Sequence, residues 1–423
     1  MLPRLTDPAN YLIRDKNGVG AGIALIVIYF ILLIPMAVSW FRTLIIIFTN
    51  PGYTALGPPN DQVAGANIKF IPDIPTPAAQ MFSKKKKEEA NTAKNESSQQ
   101  KPGNAVQGRW ITHLDFEGIF RGDTPAPEGT ERFWSNDVFQ CDPHGLPIWC
   151  GACNNWKSDR VHHCSDVGRC VLKLDHFCPW IGGVVGEVNI KFFYQFCFYA
   201  AIYTLFLLIV MAVYVARGVN SEFYYNNWAA TLGLAAVFFV FTGGMTVSNI
   251  QHLYANLTTV DAIDAARRTV YLAIRTRETD RSPAPADQTD SESPNHRKSG
   301  ERKNPFAPRQ HGNFDKGGPI PWEGTITYPL YYKGNSTPGR QPITFAVVKT
   351  PPGLNPWNLG FMENVRSIMG RNVLDWFLPL RIVRDRGAGS IYPMGRGFDE
   401  LKRRAGIGLQ TNFEENRSLQ RDV

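Results

Sequence analysis

The chain has 423 residues, 43% hydrophobic and 12% aromatic, and its 45 basic against 37 acidic side chains give a net charge of +8. That composition suffices for two or three folded units and excludes a disordered tail protein or a collagen-like repeat. All seven cysteines fall between Cys141 and Cys197, which excludes a secreted disulfide scaffold and points to a local metal or catalytic site in a reducing compartment.

The mean hydropathy of −0.21 averages very apolar stretches with very polar ones. A bilayer core of ~30 Å needs about 20 helical residues, and residues 22–48, 193–216 and 228–250 meet that length. After an N-terminal segment, residues 1–21, the first span carries Pro35 and Arg42. It is too short for two spans and a turn, so it reads as one long helix, with Arg42 reaching toward an interface. A signal peptide fits poorly, because the run exceeds an h-region of ~7–15 residues and no small-residue cleavage site precedes Arg42. Residues 49–140 follow as a polar segment. Within it, residues 54–108 are rich in Pro, Asn, Ser, Gln and Lys, with the run KKKKEE at 84–89. This reads as a solvated linker, whose lysines can also meet anionic headgroups.

The chemistry lies in residues 141–191. Cys150 and Cys153 form a C-x-x-C knuckle, His163 follows after nine residues and Cys170 after six more. A tetrahedral Zn²⁺ takes such ligands at about 2.0–2.3 Å, and a Cys₃His set with no open position would be structural. A redox C-x-x-C pair is the rival reading, weakened by the lack of a βαβ context. Spacing alone does not choose among His162, Cys164 and His176 for completing the site. Further on, Asp175, His176 and Cys178 put a carboxylate, an imidazole and a thiol within four residues. An imidazole that takes the thiol proton makes a nucleophilic thiolate, and a carboxylate on its other nitrogen fixes the tautomer. The bland alternative is that Asp175 and His176 only tie a loop together.

The second and third spans are joined by residues 217–227, so they form a hairpin whose outer ends share one side. Lys84–Lys87 before it, and Arg267, Arg268, Arg275 and Arg277 after it, place both large polar regions in the cytosol and residues 1–21 in the lumen. Beyond the hairpin, residues 251–277 read as a juxtamembrane helix and residues 278–318 as a disordered linker. Residues 319–385 read as a small folded element, with strands over 325–332 and 343–349 and a helix over 362–369. Residues 386–423 form a tail.

The stretch from Cys150 to Gly186 resembles the cysteine-rich domain of the DHHC protein S-acyltransferases, the palmitoyltransferases. Asn50-Pro51-Gly52 looks like that family's Asp-Pro-Gly element, and Gly186, Asn189, Lys191, Phe192 and Phe193 match the start of its third span. Thr258-Thr259-Val260-Asp261 looks like its Thr-Thr-x-Glu motif. Residues 355–360 (NPWNLG), with Asn364, Gly370 and Trp376, resemble its C-terminal element. Phe177 in the signature motif, and Gly182-Gly183 after Trp180, look most like the fungal subfamily called protein fatty acyltransferase five.

The resemblance implies an α-helical polytopic membrane protein with a cytosolic zinc-binding cysteine-rich domain of short β-hairpins and loops. It implies that Cys178 attacks a long-chain acyl-CoA, with His176 as base and Asp175 orienting it, and that the acyl group passes to membrane-proximal cysteines of protein substrates. Trp180 is implied at the mouth of an acyl cavity, and Thr258 and Thr259 as supports for the catalytic loop. Carried over residue by residue, the family's first zinc site maps onto Cys150, Cys153, His163 and Cys170. The second falls on Cys164, Val167, Phe177 and Val184, three of which cannot ligate. One structural zinc is therefore expected, with Val167, Phe177 and Val184 forming a hydrophobic cluster in place of the other. Three spans instead of the family's usual four suggest a further span upstream of Met1. The rival function is a zinc-stabilised scaffold that has lost catalysis. Nucleic-acid binding is not expected, since the basic residues are scattered and no basic-aromatic face adjoins the zinc loop.

Overall fold

The computed structural model describes residues 19–59, 62–63, 66–72, 108–218, 226–263, 265, 267–277, 280, 282–283, 318–333, 341–380 and 392–408. The expectations for Lys84–Lys87, for residues 1–18 and for most of 278–318 lie outside these. Helix α1, Val19–Thr49, runs unbroken through Pro35. Strand β1, Ala66–Pro72, pairs antiparallel with β2, Gly108–Leu114. The region read as linker thus contributes a strand. Residues just before it dock on the cysteine-rich domain, where Thr54 N–H bonds the Cys170 carbonyl at 2.9 Å and Gly57 N–H the Cys153 carbonyl at 2.9 Å.

Two short helices, α2 (Phe116–Arg121) and α3 (Glu131–Trp134), lead to β3, Val138–Cys141. Three hairpins of three-residue strands follow: β4 (Ile148–Cys150) with β5 (Asn155–Lys157), β6 (His162–Cys164) with β7 (Arg169–Val171), and β8 (His176–Cys178) with β9 (Gly183–Val185). Strands this short are marginal alone and need a metal or a shared apolar cluster to hold them.

Helices α4 (Ile190–Gly218) and α5 (Asn226–Ala255) are long and apolar enough to cross a membrane, as is α1. Each exceeds the predicted span by a few residues at both ends. Thr204 meets Thr242 at 3.3 Å and Tyr214 packs edge-on to Trp228, so α4 and α5 are antiparallel. Tyr29 packs on Tyr203, and Ile46 clusters with Val188 and Phe192. The Thr49 end of α1 therefore lies beside the start of α4, next to the three hairpins. Arg42 Nε donates to the Pro379 carbonyl at 3.3 Å and Nη2 donates to that of Leu380.

After the one-turn α6 (Thr259–Ala262), residues 271–275 are not helical but form β10, Tyr271–Arg275. With β11 (Gly324–Tyr328) and β12 (Ile343–Lys349) it builds an antiparallel sheet in the order β11-β12-β10-β3. The juxtamembrane-helix reading of 251–277 meets helix at 251–255 and 259–262 but fails at 271–275, where Leu272, Ala273 and Ile274 are buried in succession, as a central strand covered on both faces requires. Phe139, Ala273, Phe345 and Val347 enter one core, while Val138, Leu272, Ile274, Ala346 and Val348 enter the other. Strand β11 ends at Tyr328 rather than at residue 332, since Pro329 has no N–H for the ladder. Helix α7 (Phe361–Met369) and the short α8 (Leu374–Phe377) follow. Part of the presumed tail is helix α9, Arg396–Arg404, which buries Phe398 and Leu401 against the sheet.

Candidate active site and metal centre

Cys150 ends β4, Cys153 lies in the turn after it, and His163 and Cys170 face each other across the β6–β7 hairpin. Their donor atoms all lie within 4.8 Å of one another. His163 Nδ1 is 3.3 Å from the Cys153 sulfur, 3.5 Å from that of Cys150 and 3.8 Å from that of Cys170. Tetrahedral bonds of about 2.0–2.3 Å put donors roughly 3.3–3.8 Å apart, the range of these three distances, so the set fits Zn²⁺. The donor chemistry also asks for a cation. The closeness of the Cys150 and Cys153 sulfurs drives the Cys170 thiol far upward, so all three become thiolates together only around a metal.

On β8, side chains alternate faces, so His176 and Cys178 share one side and Phe177 takes the other. His176 Nδ1 lies 2.7 Å from Asp175 Oδ2, and the buried Asp175 accepts the Thr259 N–H on Oδ1 at 2.8 Å. The Thr259 hydroxyl donates to the Asp175 carbonyl. Burial alone would lower the His176 pKa, but hydrogen bonds to Asp175 and Cys178 outweigh it and raise it to about 9. Burial likewise opposes ionisation of Cys178, yet the His176 contact wins and the thiol is held below its ordinary value. The arrangement favours a thiolate paired with an imidazolium.

Cys178 sits in a cluster with Ile181, Val185, Ile190, Phe193 and Cys197, bordered by Ile47 of α1 and by Ile368 of α7. Gly183 makes this docking feasible, because a Cβ there would lie 2.5 Å from the Ile47 side chain. Trp180 at the hairpin tip is 82% exposed and meets Phe241 of α5 edge-on at 6.4 Å.

The opposite face of the hairpin carries the apolar cluster expected there from Val167, Phe177 and Val184. Cys164, Val171, Leu174 and Val184 are buried together, with Tyr53, Val167, Phe177 and Val260 packed around them. Asn189 locks this lobe by donating to the Val184 carbonyl at 2.8 Å and accepting the Gly186 N–H at 2.8 Å. Gly52, at φ +73°, turns the chain off α1 so that its carbonyl accepts the Leu172 N–H at 3.0 Å.

Thr258 and Asp261 form a capping box on α6, and Asp261 does more than cap. It takes the buried Arg160 guanidinium at 2.6 Å and Arg268 at 2.6 Å. Burial opposes its charge, but Arg160, the neighbouring His162 and Arg268 together hold its carboxyl well below the usual range. Arg160 also donates to Asn256 Oδ1 at 3.1 Å and to the Asn256 carbonyl at 2.8 Å, and lies over the rings of Trp357 and Tyr392. Asn355 donates to the Ala255 carbonyl at 2.7 Å and Asn364 to that of Tyr254 at 2.8 Å. Sequence reasoning missed Arg160, Asn256 and the Tyr392–Glu187 contact of 2.6 Å. Their partners are about a hundred or more residues away, and the one local hint is a basic residue inside a zinc loop.

The four metal-ligand candidates therefore meet in one site, and Asp175, His176 and Cys178 in another. Thr259 touches Asp175, whereas Thr258 acts one step back through the α6 cap. Cys141 is buried in β3, away from both.

The sequence profile of the DHHC palmitoyltransferase family matches residues 145–266. The chain is 32% identical to Palmitoyltransferase pfa5 of Aspergillus fumigatus over 426 residues, covering 97% of this chain and 85% of that protein. It is 30% identical to Palmitoyltransferase pfa5 of Emericella nidulans, covering 95% of this chain and 80% of that protein. Palmitoyltransferase PFA5 of Saccharomyces cerevisiae is 34% identical over 135 residues, covering 31% of this chain and 36% of that protein.

Proposed function

Because this chain belongs to the DHHC palmitoyltransferase family and is a membrane-embedded protein-cysteine S-palmitoyltransferase, we propose that Cys178 is the residue that carries the acyl group. The observation that supports this is the 2.7 Å contact of Asp175 with His176, on the strand face that also presents the Cys178 thiol. With Nδ1 tied to Asp175, Nε2 is the nitrogen left to take the thiol proton. The thiolate attacks the carbonyl carbon of an acyl-CoA thioester, and the bond from that carbon to the coenzyme A sulfur breaks. The leaving thiolate takes the proton held on His176, giving the acyl-enzyme and free coenzyme A. A substrate cysteine then gives its proton to His176 and attacks the acyl-enzyme, releasing Cys178. The covalent intermediate separates the two halves, so the kinetics are ping-pong.

Acyl-CoA is the donor in this reading, and the acceptors are protein cysteines close to the membrane. A long acyl chain contributes about 0.8 kcal/mol per buried CH₂, which favours chemistry at the bilayer surface. Trp180, beside Phe241, stands at the mouth of the cavity that takes the chain. One Zn²⁺ bound by Cys150, Cys153, His163 and Cys170 would supply structural cross-linking and no step of the reaction. A cytosolic catalytic domain is the reading that the basic residues flanking the hairpin support.

The test is labelling of purified full-length protein with a radiolabelled palmitoyl-CoA. Hydroxylamine-sensitive label that disappears in Cys178→Ser is expected. Undiminished label in that variant would overturn the assignment, and no label on the native chain would favour a scaffold.

A further inference from the structure

Three polar atoms are shut into the seam between α4 and α5. The Tyr194 hydroxyl, the Asn249 amide nitrogen and His252 Nδ1 are buried and have no hydrogen-bond partner among the described residues. Tyr194 is 5% exposed and Asn249 6%, so bulk water does not reach them either. A buried polar group left open costs free energy, and folded proteins rarely leave one so.

Helix register brings the three together. Thr204 of α4 meets Thr242 of α5 at 3.3 Å. Seven residues back along α4 and seven on along α5 return to the seam two turns nearer the β8–β9 hairpin. That step joins Cys197 to Asn249, whose amide lies against the Cys197 sulfur without completing a hydrogen bond. Three residues further, Tyr194 comes level with His252. On each helix the two polar positions are about one turn apart and share a face. The seam ends at Asp175, which of the charged groups around Tyr194 and around His252 acts most strongly on both. Phe193, beside Tyr194, packs edge-on to the His176 ring at 5.2 Å and ties the start of α4 to the reacting pair.

The chemistry of this pocket selects its occupant. The charged and titratable groups facing it are Asp175, His176 and Cys178 around β8, Cys197 of α4, and the Arg160–Asp261 pair. Arg160 and Asp261 are already matched to each other at 2.6 Å. Asp175 has acceptor capacity left: Thr259 N–H occupies Oδ1 and His176 Oδ2, whereas an ionised carboxylate accepts about four bonds. Tyr194 and Asn249 can donate, and His252 Nδ1 and Asp175 can accept. A water molecule accepts two bonds and donates two, which matches this set, and a buried water typically makes about three. An acyl chain would leave every one of these atoms open, and a cation would meet the Asn249 amide hydrogens.

We propose that Tyr194, Asn249 and His252 hold a buried water against the Asp175 carboxylate, and that Tyr194 and His252 are thereby positioning residues for His176 and Cys178. The water accepts from Tyr194 and Asn249 and donates to His252 Nδ1 and to Asp175. Asp175 is then held from two sides, by Thr259 of α6 and by the α4–α5 seam, and stays against His176 Nδ1. The role rests on Cys178 being the acyl-carrying nucleophile.

The test is alkylation of the purified full chain with iodoacetamide as a function of pH, without acyl-CoA, with Cys178 followed by mass spectrometry of its peptide. The rate tracks the thiolate fraction, and the native midpoint is expected below the ordinary thiol value of about 8.5. Tyr194→Phe and His252→Leu should each raise that midpoint by about one pH unit and slow acyl-enzyme formation from palmitoyl-CoA by about tenfold. Because one water serves both residues, the double variant should be no worse than either single one. His252→Asn, whose side-chain oxygen accepts in place of Nδ1, should restore most of the native midpoint. Unmoved midpoints in Tyr194→Phe and His252→Leu, or effects that add in the double variant, would overturn the water bridge. An ordinary midpoint in the native chain would instead sink the assignment of Cys178, so the two failures are told apart. Elution profiles and zinc contents matching the native protein confirm that each variant is folded.

Discussion

The β6–β7 and β8–β9 hairpins are built alike, from three-residue strands around short turns, yet they are closed by different physics. His163 and Cys170 of the first aim at a shared point with Cys150 and Cys153, which suits coordination by one ion. Phe177 and Val184 of the second meet Val167 and Cys164 in an apolar cluster, which suits burial from water. A metal is directional and fixes its ligands in a tetrahedron. Side-chain burial is not directional, so this lobe needs Asn189 and the Asp175–Thr259 bonds to set its geometry. The proposed catalytic residues His176 and Cys178 sit on the second lobe, on the strand face away from the cluster. A hydrophobic closure can therefore substitute there without touching His176 or Cys178.

The largest expected effect is metal removal. Structural zinc contributes about 10–16 kcal/mol in small domains, more than this lobe's few buried side chains can replace. Stripping with a chelator, or Cys150→Ser, is expected to unfold residues 141–191 in hydrogen exchange and abolish acyl-enzyme formation. Elemental analysis should find one zinc per chain, and two would contradict the contrast between the lobes. Next comes Asp261→Ala, which strands the buried Arg160 guanidinium between the lobes and the end of α5. Breaking such a buried pair costs about 3–5 kcal/mol, read as a lowered thermal midpoint with zinc content retained in the folded fraction. Smaller again is Phe177→Ala. Phe177 is only partly buried, so the loss should be about 3 kcal/mol, the low end for an aromatic truncation. The zinc stoichiometry should not change.

The contrast itself is largely legible in the sequence, because one set of residues falls between Cys150 and Cys170, the other between Cys164 and Val184, and strand alternation separates Phe177 from its neighbours. The spans are legible for the same local reason. The β-sheet is not. Its strands come from residues 138–141, 271–275, 324–328 and 343–349, and no period within β10 announces partners so far away. Three consecutive buried residues in β10 look like a stretch of buried helix until the partners on both faces are known. The Arg160–Asp261 pair and the Arg42 bonds to the Pro379 and Leu380 carbonyls fail to announce themselves likewise. A buried charge is intelligible only beside its counter-charge or its carbonyls.

The smallest effect tests how the non-metal lobe keeps its chemistry in register. Thr259→Val removes the hydroxyl bonded to the Asp175 carbonyl but leaves the backbone N–H on its carboxylate. One neutral hydrogen bond is worth about 1 kcal/mol, so acyl-enzyme formation should slow by no more than about tenfold. The pH profile should keep its shape. In the native chain the reactive pair exists above the lowered Cys178 pKa and below the His176 value of about 9. Asp175→Asn, by contrast, removes the carboxylate that favours the imidazolium. His176 then loses its proton at lower pH and Cys178 keeps its own to higher pH, so the window narrows from both sides. If Thr259→Val narrowed the window as Asp175→Asn does, Thr259 would be acting on the carboxylate's charge rather than on the loop's position.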